Sequence, residues 1–299
     1  MTNTPIKRRD AFRLLGGGVL ALASCRGSRG STVVVGSKNF TEQIVLGELL
    51  AQQIEAHTGL RVDRRLNLGG TFLCHQALLA GQLDLYSEYT GTALTAILGR
   101  KPSGDAAAVY RNVRDDYRDR FGFEVGPPLG FNNTFAIVVR GNDAAQLHLR
   151  TISDMVPHAR QWRAGFGYEF MERPDGYRGL AQAYGLRFAS EPRIMDLGLL
   201  YRALEEKQVD VVAGNSTDGL IAALGMVVLE DDRGYFPPYQ AVTIVRGAAL
   251  HEHPELRGTL DALGGKISEE EMRRMNYAVD GEQRDPSAVV RAFRSAHSL

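Results

Sequence analysis

Short apolar runs that end in glycine or a polar turn recur along this chain, and helical stretches alternate with them. Thr32-Val33-Val34-Val35-Gly36 is the first: β-branched, too short for a helix, and closed by Gly36. Thr41 is placed to cap a helix to about His57, with Glu42 in its first turn and Gly59 as its stop. Ile44, Leu46, Leu49, Leu50 and Ile54 supply its apolar face. Residues 60–67 and 83–89 read as strands, with a helix over 71–80 between them. Residues 92–98 and 105–120 read as helical. Strands follow at 136–140, 164–168, 209–213, 227–229 and 241–245, with helices at 152–159, 179–184, 197–206 and 217–224. Three helical stretches near 254–263, 268–277 and 286–295 close the chain. Such alternation predicts an α/β protein with mostly parallel sheets.

Two of these strands look alike. Phe135-Ala136-Ile137-Val138-Val139-Arg140-Gly141 and Ala241-Val242-Thr243-Ile244-Val245-Arg246-Gly247 each follow a polar or Pro-rich turn. In a two-lobed protein crossed twice by its chain, such strands form a hinge pair. That reading puts residues 32–135 and 240–299 in lobe 1 and residues 136–239 in lobe 2. The length of 299 residues suits two domains, at ~150 residues each.

The beginning of the chain reads as an address. Lys7, Arg8, Arg9 and Arg13 flank the start of a weakly hydrophobic stretch from Leu14 to Ala23, too short to span a bilayer. The Arg8-Arg9 pair resembles a twin-arginine export signal, with the general secretory route as the alternative. Leu22-Ala23-Ser24-Cys25 resembles a bacterial lipobox. Residues 1–24 are therefore expected to be a signal peptide, Cys25 the lipidated residue, and residues up to 31 a polar tether. This predicts an extracytoplasmic body held on a membrane.

Several function classes lose support at this stage. Lys plus Arg and Asp plus Glu both number 35, which gives no electrostatic reason to expect nucleic acid. Two cysteines, Cys25 and Cys74, exclude a disulfide scaffold and a Cys-only zinc cluster. No HExxH, CxxC or P-loop motif occurs. Gly214-Asn215-Ser216-Thr217-Asp218-Gly219 has one residue too many for a nucleophile elbow. Cys74 and His75 are neighbours on a helix and point apart. Asp84 and Glu88 share a strand face, as paired carboxylates or as ordinary strand-end residues. The chemistry that remains sits in polar-aromatic turns at strand ends, where open α/β sheets bind ligands. Aromatic faces there suit a quaternary ammonium, which has no N–H to donate.

Val35-Gly36-Ser37-Lys38-Asn39-Phe40-Thr41-Glu42-Gln43, Asn67-Leu68-Gly69-Gly70-Thr71, Leu85-Tyr86-Ser87-Glu88-Tyr89-Thr90-Gly91-Thr92, Gly130-Phe131-Asn132-Asn133-Thr134, Arg173-Pro174-Asp175-Gly176-Tyr177, Gly214-Asn215-Ser216-Thr217-Asp218-Gly219 and Leu229-Glu230-Asp231-Asp232 with Phe236-Pro237-Pro238-Tyr239 occur in order. Together they resemble the substrate-binding proteins of osmoprotectant (glycine betaine, choline, carnitine) ABC importers. The resemblance covers essentially the whole chain beyond the leader. It implies a two-lobed, type II periplasmic-binding-protein fold with two hinge crossings and a ligand cleft. It also implies a membrane permease and cytoplasmic ATPase as partners, no cofactor or metal, and no catalysis.

Residue by residue, Tyr89 and Tyr239 match two tyrosines of the family's aromatic cage. Phe135 stands where a third is usual, and Asn215 where a fourth aromatic is usual. Lys38 stands where some relatives have Gln, and Arg173 resembles a position that holds a betaine carboxylate. The expected ligand set is Lys38, Asn39, Tyr89, Thr92, Phe135, Arg173, Asn215, Thr217 and Tyr239. Tyr89, Phe135 and Tyr239 are expected to face the cation, Arg173 and Lys38 to hold the carboxylate, and Thr92 and Asn215 to add hydrogen bonds. The implied ligand is a quaternary-ammonium zwitterion such as glycine betaine, bound by a monomer. Alternatives are a larger or non-betaine ligand, ergothioneine-like or more polar, and a sensory binding module.

Overall fold

The computed structural model describes residues 32–299. The expected leader, the Cys25 lipidation site and the tether lie outside the described residues. Among the described residues ten strands form the framework: β1 (Thr32–Lys38), β2 (Arg61–Gly69), β3 (Leu85–Tyr89), β4 (Phe123–Val125), β5 (Phe135–Arg140), β6 (Ala164–Phe166), β7 (Arg193–Ile194), β8 (Val211–Asn215), β9 (Met226–Leu229) and β10 (Ala241–Arg246). They make two five-stranded sheets, ordered β2-β1-β3-β10-β4 and β7-β6-β8-β5-β9. Each sheet is the centre of one lobe.

Both sheets are mixed, which corrects the expectation of mostly parallel pairing. β1 runs parallel to β2 and β3, and β6 parallel to β7 and β8. β10 is antiparallel to β3 and β4, and β5 to β8 and β9. The reason lies in how the strands arrive. Strands joined by βα crossovers must be parallel. β5 and β10 each arrive from the other sheet, so that constraint does not apply to them.

Side chains alternate across the first sheet as the strand period requires. Val33, Val35, Leu85 and Tyr89 join one core, and Tyr86, Val242 and Ile244 the other. Helix α1 (Thr41–His57) covers the first face and is itself covered by helices 269–280 and 286–297. Gln43, Glu48, Gln52 and Gln53 are therefore buried along with its apolar residues. Thr41 is not its cap. Phe40 holds that place, and the Thr41 hydroxyl donates instead to Asp280 at 2.6 Å.

Other boundaries shift for local reasons. The strand expected at 209–213 runs from Val211 to Asn215, and the helix expected at 217–224 shrinks to Leu220–Ala223. Asp218 explains both: its carboxylate accepts the Asn215 N–H at 2.9 Å and the Tyr201 hydroxyl at 2.5 Å, which folds residues 215–218 into a turn. Residues 90–92 form one helical turn that widens into a π-helical turn over Ala93–Ile97. Among the described residues, no helix is long and apolar enough to cross a membrane.

Candidate ligand-binding cleft

The strand ends of both sheets open onto one cavity of about 580 Å³. β1 delivers Lys38, Asn39 and Phe40, and β3 delivers Tyr89 with Thr92 just beyond. From the second lobe come Tyr168, Glu169, Glu172 and Arg173 after β6, Ile194 at the end of β7 with Met195 to Leu197 just beyond, and Asn215 at the end of β8. Phe135 and Tyr239 stand where the chain passes between the lobes. Of the residues expected from the sequence, Lys38, Asn39, Tyr89, Thr92, Phe135, Arg173, Asn215 and Tyr239 all line this cavity. Thr217 does not: it is fully buried and its hydroxyl donates to Glu42.

Local geometry explains these placements. The β1–β2 register slips between Gly36 and Lys38, so β2 carries extra residues where it faces the end of β1. The Ser37 hydroxyl accepts the Asn67 N–H at 2.9 Å, and the Gly69 carbonyl accepts the Asn39 N–H at 3.1 Å. This turn aims Gly70 and the start of helix α2 (Thr71–Leu79) at the cavity. Tyr239 packs so closely on residues 90–92 that a Cβ at Gly91 would lie 2.6 Å from its ring. Phe135 and Asn215 are cross-strand partners, which fixes both at the same level.

The rings face cations. Lys38 Nζ stands 4.9 Å from the centre of the Tyr89 ring, and the Arg173 guanidinium 4.7 Å from Phe135 and 5.8 Å from Tyr239. Distances under ~6 Å are those of cation–π attraction. Phe135 meets Tyr239 edge-on at 6.1 Å and also packs on Phe170 and Phe236.

Both cations expected to hold a ligand carboxylate are already paired within the protein. Lys38 bonds Glu88 and, at 3.0 Å, the Thr71 hydroxyl. Arg173 grips Asp175 with two hydrogen bonds of 3.0 and 2.5 Å. Burial works against the Arg173 charge, but Asp175 outweighs it and holds the guanidinium above its ordinary value. The Tyr239 hydroxyl donates to the same Asp175 at 2.5 Å, and burial together with that carboxylate pushes its phenol well up. On the cavity wall Glu169, Glu172 and Asp196 add further negative charge. The cleft therefore offers rings and carboxylates to a cation, while its own cations are neutralised.

Behind the wall, Glu42 ties the lobes together. It accepts the Tyr89 hydroxyl at 2.6 Å, the Asn133 amide at 2.8 Å and the Asn276 amide at 3.1 Å, besides Thr217. Burial pushes its carboxyl up, and these donors pull it partly back. The Asn215 amide turns toward Asp218, at 3.4 Å. Sequence reasoning missed Glu42, Glu88, Glu169 and Asp175 as parts of the site. Asp175 and Glu88 stood inside quoted motifs, one two residues from Arg173 and the other beside Tyr89. Glu42 closed the first motif as an acid in a helix's first turn, and Glu169 stood in no motif at all.

No assembled reaction centre appears among the described residues. Groups of His, Cys, Asp and Glu able to hold a metal are absent there. Burial pushes the Cys74 thiol up to about 12 and holds the His75 imidazole down to about 4. His75 sits among Tyr117, Phe121 and Phe123 as a core ring. Asp84 and Glu88 do not act as a pair: Asp84 binds Arg246, and Glu88 binds Lys38.

Comparison with known proteins agrees with this geometry. Residues 31–296 match the family described as the substrate binding domain of ABC-type glycine betaine transport systems. A carnitine transport binding protein of Listeria monocytogenes is 38% identical over 281 residues, covering 92% of this chain and 91% of that protein. An ergothioneine transport permease/ergothioneine binding protein of Helicobacter pylori is 34% identical over 262 residues, covering 87% of this chain and 47% of that protein. A crystal structure of a glycine betaine/carnitine/choline ABC transporter protein is 34% identical, superposes with a TM-score of 0.73, and covers 89% of this chain and 98% of that one. With its two mixed sheets and the cleft at their strand ends, this chain belongs to the family of substrate-binding domains of ABC-type glycine betaine transport systems.

Proposed function

We propose that this protein is the extracytoplasmic solute-binding component of an ABC importer, and that it binds a quaternary-ammonium zwitterion such as glycine betaine between its lobes. The observation that carries the reading is the cavity wall itself. Tyr89, Phe135 and Tyr239 face cations, and the neighbouring Lys38 and Arg173 are neutralised by Glu88 and Asp175. A trimethylammonium group is held by ring faces and by negative potential, not by donated hydrogen bonds, so this wall suits it. Lobe 1 is assigned residues 32–135 and 240–299, and lobe 2 residues 136–239. Closure of the lobes on ligand hands a compact complex to the permease. Lipid attachment at Cys25 after export holds the monomer on the membrane. The protein binds and releases its ligand unchanged.

A second reading keeps the fold and enlarges the ligand. The cavity of about 580 Å³ exceeds what glycine betaine fills, and its rim carries Phe72, Leu73, Tyr168 and Ile194. The Helicobacter pylori relative is named for ergothioneine, a betaine with an added ring. A thermal-shift panel on protein stripped of co-purified ligand separates the readings. Glycine betaine, carnitine, choline and ergothioneine are set against amino acids and sugars. A ligand at 100 times its Kd adds ~2.7 kcal/mol, a shift of several degrees. Shifts confined to the quaternary compounds support the proposal, and the largest among them ranks the two readings. A shift only with other solutes refutes both.

A further inference from the structure

Glu169 reaches from the second lobe to the first. It sits in the short helix Tyr168–Glu172 on the cavity wall. One of its carboxylate oxygens accepts the Thr71 backbone N–H at the start of α2, and the other lies 3.5 Å from the Thr71 hydroxyl. The same carboxylate is 3.9 Å from Arg173. Gly70 leaves the room for it, since a Cβ there would stand 2.2 Å from the Glu169 oxygen. Lys38 bonds the same Thr71 hydroxyl from behind. A helix N–H and a hydroxyl thus converge beside the aromatic rings, with the Asp175-paired Arg173 guanidinium 3.9 Å off and the Glu88-paired Lys38 ammonium one bond further back. That is the donor set a small carboxylate requires. In this structure a protein carboxylate uses it.

We infer that Glu169 is a specificity-determining residue, standing in the seat that a zwitterion's carboxylate takes and so setting the preference between a plain quaternary cation and a zwitterion. The inference rests on the quaternary-ammonium reading of the cleft. A zwitterion must displace Glu169 before its own carboxylate meets Thr71. A cation such as choline leaves Glu169 in place and gains its negative charge. Discrimination is a difference of two affinities, and a repulsive group aimed at one ligand is an effective way to create it. Glu169 is free to serve in this way, because its side chain is 29% exposed while that of Glu88 is 0% exposed.

The test is calorimetric titration of choline and of glycine betaine into wild type, Glu169→Ala, Glu169→Gln and the double variant Glu169→Ala/Gly70→Ala. Glu169→Ala is expected to shift the ratio of the two dissociation constants by at least ~10-fold toward glycine betaine, one charge-assisted contact being gained and one repulsion lost. Glu169→Gln shifts it the same way by less, because the amide keeps the shape without the charge. Adding Gly70→Ala fills the seat and returns the ratio toward choline. An unchanged ratio, with both ligands weakened alike, means a merely structural Glu169 and overturns the inference. Failure of wild type and all variants to bind either ligand refutes the quaternary-ammonium reading itself, and the inference with it.

Discussion

The two walls of the cleft are built differently. On the first-lobe side, Lys38, Glu88 and Glu42 are each 1% exposed or less, and every one is tied to a partner. On the second-lobe side the Arg173–Asp175 pair is buried as well, but Tyr168 is 67% and Ile194 51% exposed around it, and the half-exposed Glu169 reaches across to Thr71. Buried charges tolerate little change, because removing one partner strands the other in low dielectric. Half-exposed groups can move or be exchanged at small cost. The buried pairs, Lys38–Glu88 on the first wall and Arg173–Asp175 on the second, therefore preserve the general chemistry of the site, and the half-exposed Glu169 on the second wall is where its selectivity is adjusted.

The largest effect is expected on the sealed wall. Glu88→Ala leaves the Lys38 ammonium buried without its carboxylate, at a cost of about 3–5 kcal/mol. The exposed Glu172→Ala on the opposite wall is expected to stay within about 0.5 kcal/mol of wild type. Denaturant unfolding of both variants checks the contrast. Equal losses would erase the distinction between the walls.

A smaller, pH-dependent effect belongs to Asp218 at the foot of the second wall. Burial pushes its carboxyl from the ordinary 3.8 up to about 6. The folded protein therefore keeps this proton where the unfolded chain releases it. The resulting stability is full below about pH 3.8 and is lost as pH rises through about 6, a difference of up to ~3 kcal/mol. Asp218→Asn escapes that loss. Between pH 4 and pH 7 the melting temperature of wild type should fall relative to the variant. Burial raises Glu42 in the same direction, so wild type loses more than Asp218 alone accounts for. Parallel melting curves for the two proteins would contradict this assignment.

Much of the framework was legible because strand and helix signals are local. β1, β3, β5 and β10 stand close to their expected ranges, since each is a short apolar run with a punctuating turn. The resemblance pointed to the turns, and the ends of β1, β3 and β8 do converge on one cavity. What was not legible depends on distant partners. Lys38 reads as a free cation until Glu88, 50 residues on, is brought against it. Thr217 reads as a ligand contact until Glu42, 175 residues away, draws its hydroxyl inward. Arg173 and Asp175 are only two apart, yet their pairing needed the local turn to be known. The mixed sheets were missed for a related reason: strand direction is decided by which lobe the chain arrives from, and no local pattern carries that.

The most direct measurement is calorimetric titration of glycine betaine against glycine, with wild type, Tyr89→Phe and Tyr89→Ala. The two ligands share a carboxylate and differ in the methylation of nitrogen, so the contrast isolates the rings. Wild type is expected to bind glycine betaine and to ignore glycine. Tyr89→Phe keeps the ring and should stay within about three-fold, while Tyr89→Ala should lose at least ~10-fold, or ~1.4 kcal/mol. Glycine binding as tightly as glycine betaine, or unchanged affinity in a folded Tyr89→Ala, would contradict an aromatic site for a quaternary ammonium.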